Sequence, residues 1–231
     1  MPYTKALVLG RISMADCILC SELAVSAERA PWNAPLVETE NFVVVPSLGA
    51  LVEGWLLIVP KAHHISYGAL PFDLRLEADA LEAQTHDLLE SQYGKPVVAF
   101  EHGPSAAKHG TGCGVDHAHL HLVPIECDLL ATVRPFVPST AEWKVCHWAE
   151  RVDAYQSGLD YLYLKRPGSG GLITIANDFG SQVFRKAISS HLGIDGEFSW
   201  RDYPRIETVT RTMEALIGAH AQLGRGVVYA A

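Results

Sequence analysis

The sequence lacks any apolar run of about 18 residues, the length that a helix needs to cross a bilayer, so we expect no membrane span. It also lacks an excess of basic residues, since 18 Lys and Arg stand against 26 Asp and Glu and the formal net charge is −8. Proteins that follow a nucleic-acid backbone carry a basic footprint, so we expect no nucleic-acid partner. A small anionic ligand stays compatible with this charge wherever basic side chains cluster.

Cysteine is scarce, and the number of cysteines is odd. The five are Cys17, Cys20, Cys113, Cys127 and Cys146. An odd count argues against a disulfide framework, and the N-terminus shows no basic segment followed by an apolar one, as a secretory signal would. We therefore expect a cytoplasmic protein with reduced thiols.

Three histidines, His117, His119 and His121, occupy every second position of the stretch 110–124. In a strand, alternate side chains face opposite ways, so these imidazoles would share one face and the apolar residues between them the other. Same-face neighbours are roughly 6.5–7 Å apart along a strand. This spacing suits a phosphoester laid beside the rings or a metal shared by them. A dinuclear metal hydrolase would add a carboxylate within the run, and Leu122 after the last histidine weakens that alternative.

Cys17 and Cys20 form a Cys-x-x-Cys pair near the N-terminus. Two thiolates at this spacing reach one tetrahedral zinc from a tight turn. The same spacing also occurs in redox pairs and in unrelated thiols, so the pair needs further ligands before it indicates a metal site.

The pattern of apolar residues predicts an α+β fold with an antiparallel sheet of about five strands and one long helix. The predicted elements are strands at 36–40, 42–46, 54–60, 95–101 and the histidine stretch, and a helix at about 71–94 with Asp73 near its start. These elements make up a first unit over residues 1–125.

Residues 126–231 are predicted to form a C-terminal α/β extension. Its predicted elements are a helix at 143–155, a hairpin at 160–176, a helix at 181–192 capped by Ser181, and a last helix at 206–219. Arg185 lies one turn into the third of these, after Ser181 and Gln182. A basic residue at a helix N-terminus is an anion site, so these three are candidate phosphate ligands. A capped surface helix is the alternative.

A glycine-rich loop, residues 102–114, directly precedes the alternating histidines. Glycines let successive backbone N–H groups turn toward an anion. The loop is therefore a candidate phosphate cradle, with a plain connection as the alternative.

Together these motifs resemble the histidine-triad (HIT) superfamily of nucleotide hydrolases and nucleotidyl transferases. Three features carry the resemblance: the His-x-His-x-His run ending in a proline, the segment from Gly54 to His63 with its Pro-Lys-x-His end, and the upstream Cys-x-x-Cys. The pair of cysteines is similar to that of the zinc-bearing branch and of the galactose-1-phosphate uridylyltransferases. The resemblance covers about residues 15–125.

The resemblance implies a zinc held by Cys17, Cys20, His63 and His117. Two thiolates and two neutral imidazoles fill four positions, so this zinc would be structural. The resemblance also implies a small-molecule nucleotide as substrate and a homodimer as one assembly to test.

The resemblance further implies that His119 attacks the α-phosphorus and forms a nucleotidyl-histidine intermediate, which water then cleaves. His121 would contact the phosphate oxygens. Backbone amides of Gly112, Cys113 and Gly114 are the expected remaining phosphate donors.

Two positions depart from the family pattern, and a third bears on the type of reaction. Gly114 stands where a Ser or Thr is usual, and Trp55 stands where an imidazole is usual. His121 stands where transferases of the superfamily have Gln, so we favour a nucleotide hydrolase. The alternatives are a nucleotidyl transferase or phosphorylase of the same superfamily and a non-catalytic nucleotide-binding protein.

Overall fold

Eight strands and six helices make up the part of the chain that the computed structural model describes, residues 17–24, 34–107, 110–175 and 179–223. The strands are β1 Val37–Glu38, β2 Phe42–Pro46, β3 Leu56–Pro60, β4 Val97–Gly103, β5 Leu120–Pro124, β6 Lys144–Cys146, β7 Tyr161–Lys165 and β8 Gly171–Ile175. The helices are α1 Ile18–Ala24, α2 Phe72–Tyr93, α3 Leu129–Val133, α4 Trp148–Gln156, α5 Val183–His191 and α6 Ile206–Leu223. Within the described residues, no helix combines the length and apolar character of a membrane span.

The strands form one sheet in the order β1-β2-β3-β5-β4-β7-β8-β6, and every neighbouring pair is antiparallel. The predicted α+β class is confirmed, and its five predicted strands are β1 to β5. The predicted count is too low, because three strands of the C-terminal half join the same sheet. They do so through β4, which pairs with β5 on one edge and with β7 on the other.

The strand alternation separates two apolar layers. Leu120 and Leu122 of β5 face the layer that contains α2, whereas Val123 faces the layer that contains α3 and α5. His121 lies between the two leucines and therefore points with Val123 toward the second layer. The candidate site is built on this second face of the sheet.

The histidine run differs from its prediction, because β5 begins only at Leu120. His117 and His119 lie in the segment before the strand. The β3–β5 register would next pair His119 with Val59 and then Ala118 with Pro60, and Pro60 has no N–H to continue the ladder. The Ala118 N–H instead donates to the carbonyl of His64 at 2.6 Å.

Two predictions in the C-terminal half were wrong in detail. Ser181 does not cap α5: Gln182 occupies the N-cap position with φ of 58°, and the Ser181 hydroxyl donates to the Gly112 carbonyl at 3.2 Å. The segment predicted as a helix over 143–155 begins as strand β6, because its backbone pairs with β8. The helix proper, α4, starts only at Trp148.

Helix α2 matches its prediction at both ends. It stops at Gly94, whose φ of 59° is left-handed and suits glycine. Its N-cap is Pro71, and Asp73 lies in the first turn, near the helix start as predicted.

Candidate active site

Four side chains that are far apart in the sequence meet beside the sheet. The Cys20 Sγ lies 3.3 Å from His63 Nδ1, and the sulfurs of Cys17 and Cys20 each lie 3.4 Å from His117 Nδ1. All four ligand atoms lie within 4.8 Å of one another. Two thiols and two imidazoles are the donor set that tetrahedral zinc accepts. The structure therefore brings the predicted quartet together as a group able to hold a metal ion.

The surroundings of the quartet suit a metal as well. His117 donates its Nε2–H to the Pro60 carbonyl at 2.8 Å, which leaves the Nδ1 lone pair directed at the sulfurs. Burial lowers the pKa of His117 to about 4, so this ring is neutral, as a ligand must be. Burial and the adjacent Cys17 raise the pKa of Cys20 to about 11. A cation among these thiols would favour the thiolates that they otherwise resist forming.

A cavity of about 260 Å³ adjoins the quartet. Most of its wall is apolar and comes from α1, β2, β3 and the C-terminal half, with contributions from Leu19, Leu23, Val45, Leu57, Val59, Trp200, Ile206 and Val209. Cys113, His119, His121 and Arg185 form a polar end of the wall, which also contains Glu22 and Ser47. Such a cavity pairs an apolar compartment with a polar end.

His119 is held at this polar end by its own backbone neighbourhood. Its Nδ1 lies 2.6 Å from the His117 carbonyl, which can only accept, so Nδ1 carries the hydrogen. Burial lowers the pKa of His119, so the ring is neutral at neutral pH and Nε2 keeps a lone pair. This is the state that a nucleophilic imidazole needs.

His121 is fixed by a partner that the sequence pattern did not assign. The Trp55 indole N–H donates to His121 Nδ1 at 2.9 Å, and the imidazole stacks on Phe100 with 4.5 Å between ring centroids. Burial holds the pKa of His121 well below its usual range, with the neighbouring histidines as a smaller cause. The ring is therefore neutral, and its hydrogen is on Nε2, which lies 3.5 Å from Cys113 Sγ.

His102 completes a second buried Cys/His group. Its Nδ1 lies 3.1 Å from Cys113 Sγ, and its Nε2 faces the backbone N–H of Phe184 at 3.4 Å. Burial lowers the pKa of His102 to about 3 and raises that of the Cys113 thiol to about 12. Sequence reasoning assigned His102 no role. Its position on β4, two residues after Phe100, was the available sign that it shares the face of His121.

Arg185 places a positive charge in the wall of the cavity. Its side chain is 1% exposed, its guanidinium donates to the carbonyls of Phe198 and Gly49, and it lies 4.9 Å from the Trp55 ring. Burial lowers its pKa to about 10, which still leaves it charged at neutral pH. A buried cation held by carbonyl dipoles and an aromatic ring can attract an anionic ligand.

The glycine-rich loop is tied to the C-terminal half through its carbonyls. The Gly112 carbonyl accepts from the Gln182 N–H at 2.7 Å, and the Cys113 carbonyl accepts from the Trp200 indole at 2.8 Å. The Gly114 carbonyl accepts from Arg201 at 2.6 Å. Of the six predicted phosphate ligands, Cys113 and Arg185 belong to the cavity wall. Ser181 and Gln182 both donate to the Gly112 carbonyl, and neither they nor Gly112 and Gly114 are among the residues that line the cavity.

Comparison with known proteins finds likeness in structure alone. No protein-family model matches the sequence, and no curated protein matches it. A hypothetical histidine triad nucleotide-binding protein from Sulfolobus tokodaii is similar in structure, with 21% identity and a TM-score of 0.39 over 48% of this chain and 71% of that chain. A zinc-bound histidine triad family protein from Mycobacterium smegmatis shares 21% identity at a TM-score of 0.39, over 50% of this chain and 80% of that chain.

A third solved structure, described as a uridylyltransferase, extends over more of the molecule. It shares 12% identity at a TM-score of 0.39 and covers 84% of this chain and 95% of that chain. The structural neighbours thus include histidine triad proteins and a uridylyltransferase. At these identities and TM-scores, the likeness by itself assigns neither an activity nor a ligand to this chain.

Proposed function

We propose that this chain is a HIT-type hydrolase that cleaves a nucleoside phosphate derivative at its α-phosphorus through a covalent nucleotidyl-His119. The observation that carries the proposal is the bond of His119 Nδ1 to the His117 carbonyl at 2.6 Å. It leaves a neutral imidazole with a lone pair on Nε2 in the wall of a cavity. A nucleophile in this state requires no separate base to activate it.

The character of the cavity supports a nucleotide as the ligand. Its apolar compartment suits a base, and the buried charge of Arg185 lies at the polar end with the histidines. Arg pairs with phosphate oxygens through a fork of N–H donors. A nucleoside phosphate would thus place its phosphorus beside His119.

The reaction follows from these positions. The Nε2 lone pair of His119 forms a bond to the α-phosphorus as the bond from phosphorus to the leaving group breaks. Water then forms a new bond to phosphorus, loses a proton to solvent, and displaces the nitrogen, which regains its lone pair. Arg185 and the Nε2–H of His121 stabilise the negative charge on the phosphate oxygens during both steps.

Cys17, Cys20, His63 and His117 would hold a zinc ion in this protein. With all four positions filled by protein ligands, the ion would supply a structural cross-link. The cross-link would join α1 to the segment that carries His119, since His117 is both a ligand and the hydrogen-bond partner of the nucleophile.

The test is incubation of the protein with a dinucleoside polyphosphate, a nucleoside phosphoramidate and a nucleotide sugar. We expect release of nucleoside monophosphate from at least one of these compounds, and a quenched sample should gain the mass of one nucleotidyl group. Both should disappear in His119→Ala, because no other group replaces the nucleophile. His86→Ala is the matched control, since His86 lies on α2 and its nearest charged partner is Asp87.

Three results would contradict the proposal in different ways. Turnover by His119→Ala at the wild-type rate would exclude the covalent route. Transfer to added phosphate or sugar phosphate in preference to water would make the protein a transferase or phosphorylase. Nucleotide binding without any product would make it a non-catalytic binding protein.

A further inference from the structure

The group formed by His102, Cys113 and His121 looks like a second metal site by distance alone. Its three ligand atoms lie within 4.8 Å of one another, and all three side chains are buried. The hydrogens on the two rings decide what this group does. They can be assigned because each ring has one nitrogen that faces a group able only to donate.

The first of these donors is the Trp55 indole. An indole nitrogen donates and never accepts, so the 2.9 Å bond fixes Nδ1 of His121 as an acceptor. The second is the backbone N–H of Phe184, which faces Nε2 of His102 at 3.4 Å. Each neutral ring must then carry its hydrogen on the other nitrogen, and both of those nitrogens face Cys113 Sγ, at 3.5 Å and 3.1 Å.

This arrangement is wrong for a metal. A ligating imidazole offers a lone pair to the ion and donates its other N–H to an acceptor. His117 does this, because its outer nitrogen, the Nε2 that points away from the sulfurs, faces the Pro60 carbonyl. In His102 and His121 the outer nitrogens face donors, so the inner nitrogens present hydrogens. The sulfur of Cys113 receives two N–H groups instead of sharing an ion.

We propose that Trp55 and Cys113 are positioning residues that hold His121 as a fixed Nε2–H donor, which is unable to pass that proton to a leaving group. The proposal rests on the proposed function, in which His121 stabilises the phosphate oxygens. If the Nε2 proton left, the ring would become an imidazolate, because Nδ1 carries no hydrogen and the Trp55 indole donates a hydrogen bond there without releasing its proton. His121 therefore supplies a hydrogen bond without acid catalysis.

A substrate class follows from this restriction. A leaving group that His121 does not protonate must depart as an anion, so weakly basic leaving groups are favoured. Phosphate and pyrophosphate groups leave in this way, as in dinucleoside polyphosphates and nucleotide sugars. Alkoxides need a proton, and general acid catalysis is worth roughly 10²–10⁴ in rate where it exists. Simple alkyl and phenyl esters of a nucleoside monophosphate should thus be poor substrates.

The hydrogen positions can be measured without any activity. In the protein labelled with ¹⁵N-histidine, we expect His121 to show an unprotonated Nδ1 and a protonated Nε2 at neutral pH. Trp55→Phe keeps a ring beside Arg185 but removes the donor, and should introduce the opposite tautomer. Trp148→Phe is the matched control, since Trp148 donates to Asp79 on another part of the surface and should leave His121 unchanged.

A protonated Nδ1 on His121 in the wild-type protein would overturn the proposal, and this result does not depend on any variant folding. An unchanged His121 spectrum in folded Trp55→Phe would overturn it too. Zinc or copper titration offers a further check: ions that bind at Cys113, shown by loss of one bound equivalent in Cys113→Ser, would make the group a metal site.

The second arm measures kcat/KM for two esters of one nucleoside monophosphate, with 4-nitrophenol and phenol as leaving groups. We expect the phenyl ester to be slower by roughly 10², since no acid assists it. Rates within about threefold of each other would show that an acid does act. In Trp55→Phe, kcat on the 4-nitrophenyl ester should fall about tenfold with little change in KM, the loss expected for one misplaced hydrogen bond. If neither ester reacts, the proposed function fails, while the tautomer measurement stands on its own.

Discussion

The quartet of Cys17, Cys20, His63 and His117 and the trio of His102, Cys113 and His121 are built from the same residue types at the same separation. They differ in what lies on the outer side of their rings. In the quartet, a carbonyl faces the outer nitrogen of His117, and the buried Nε2 of His63 has no hydrogen-bond partner among the described residues. In the trio, N–H groups face both outer nitrogens. The comparison teaches that ligand type and distance do not define a metal site until the second hydrogen bond of each imidazole is known.

The two groups also differ in what they connect. The quartet joins α1 to the ends of two strands, so its ligands span positions 17 to 117. The trio joins neighbouring strands β4 and β5 to the loop between them. Loss of the quartet should therefore detach α1 from the strands. Loss of the trio should only loosen the packing between β4, β5 and the loop that joins them.

The largest effect is expected from Cys17→Ser. We expect one zinc per chain in the wild-type protein and none in the variant, with unfolding free energy lower by about 5 kcal/mol or more, since a structural ion contributes directly to folding. The melting temperature should fall by roughly 10 °C or more for a chain of this size. Metal analysis and calorimetry measure both, with Cys127→Ser as the control. If the wild-type protein contains no metal, the quartet does not differ from the trio in metal binding, and the comparison fails.

A smaller effect is expected from Cys113→Ala. It leaves two buried N–H donors, those of His102 and His121, without their acceptor, at about 1–3 kcal/mol each. Cys113→Ser keeps an acceptor and should cost about 1 kcal/mol. Denaturant unfolding measures the cost, and both variants should keep the zinc content of the wild type. A lower zinc content in either one would show that the trio also binds metal.

The trio contributes to the pH dependence of stability through His102. The pKa of His102 falls to about 3 in the folded state, whereas an unfolded histidine titrates near 6.5. As the pH drops below 6.5, His102 takes up a proton in the unfolded chain but stays neutral in the folded chain. The unfolding free energy therefore decreases from pH 6.5 down to about pH 3. At pH 5 the loss is about 2 kcal/mol.

His102→Phe should remove this loss. Its stability relative to the wild type should improve by about 2 kcal/mol between pH 7 and pH 5. Unfolding curves at the two pH values measure the shift. An equal pH dependence in both proteins would mean that His102 is already protonated in the fold, which is incompatible with the trio as described.

The smallest effect is expected from Gly114→Ser, which introduces the hydroxyl that is usual at this position in the family that the sequence resembles. Gly114 has a left-handed φ of 75°, so a side chain there costs about 1 kcal/mol. Gly94→Ser is the matched control, since Gly94 has φ of 59° and open space around its Cβ position. Any excess cost at Gly114 in unfolding experiments measures the contact with Arg201. A stabilised Gly114→Ser would contradict the geometry of the loop.

Much of this structure could be predicted from patterns in the sequence. Cys-x-x-Cys and Pro-Lys-x-His are local arrangements, and the resemblance supplied the pairing between them. The strands up to β5 were predictable because their apolar runs are short and bounded by turns.

What the patterns missed depends on contacts between distant parts of the chain. Nothing local indicates that Trp55 donates to His121, or that a seemingly ordinary His102 turns toward Cys113. The start of β5 at Leu120 depends on a proline in a different strand. The pairing of β7 with β4 could not be predicted either, since hydrogen bonds between strands leave no pattern in the sequence.

That joining has a practical consequence for anyone who wishes to study the first half alone. A protein cut after residue 125 would expose the outer edge of β4, where five residues, 99–103, pair with β7 and are buried in the intact chain. Bare edges of this kind recruit other polypeptides, so the fragment should precipitate or pair with copies of itself. Work on the isolated half would then describe a surface that the full chain never presents.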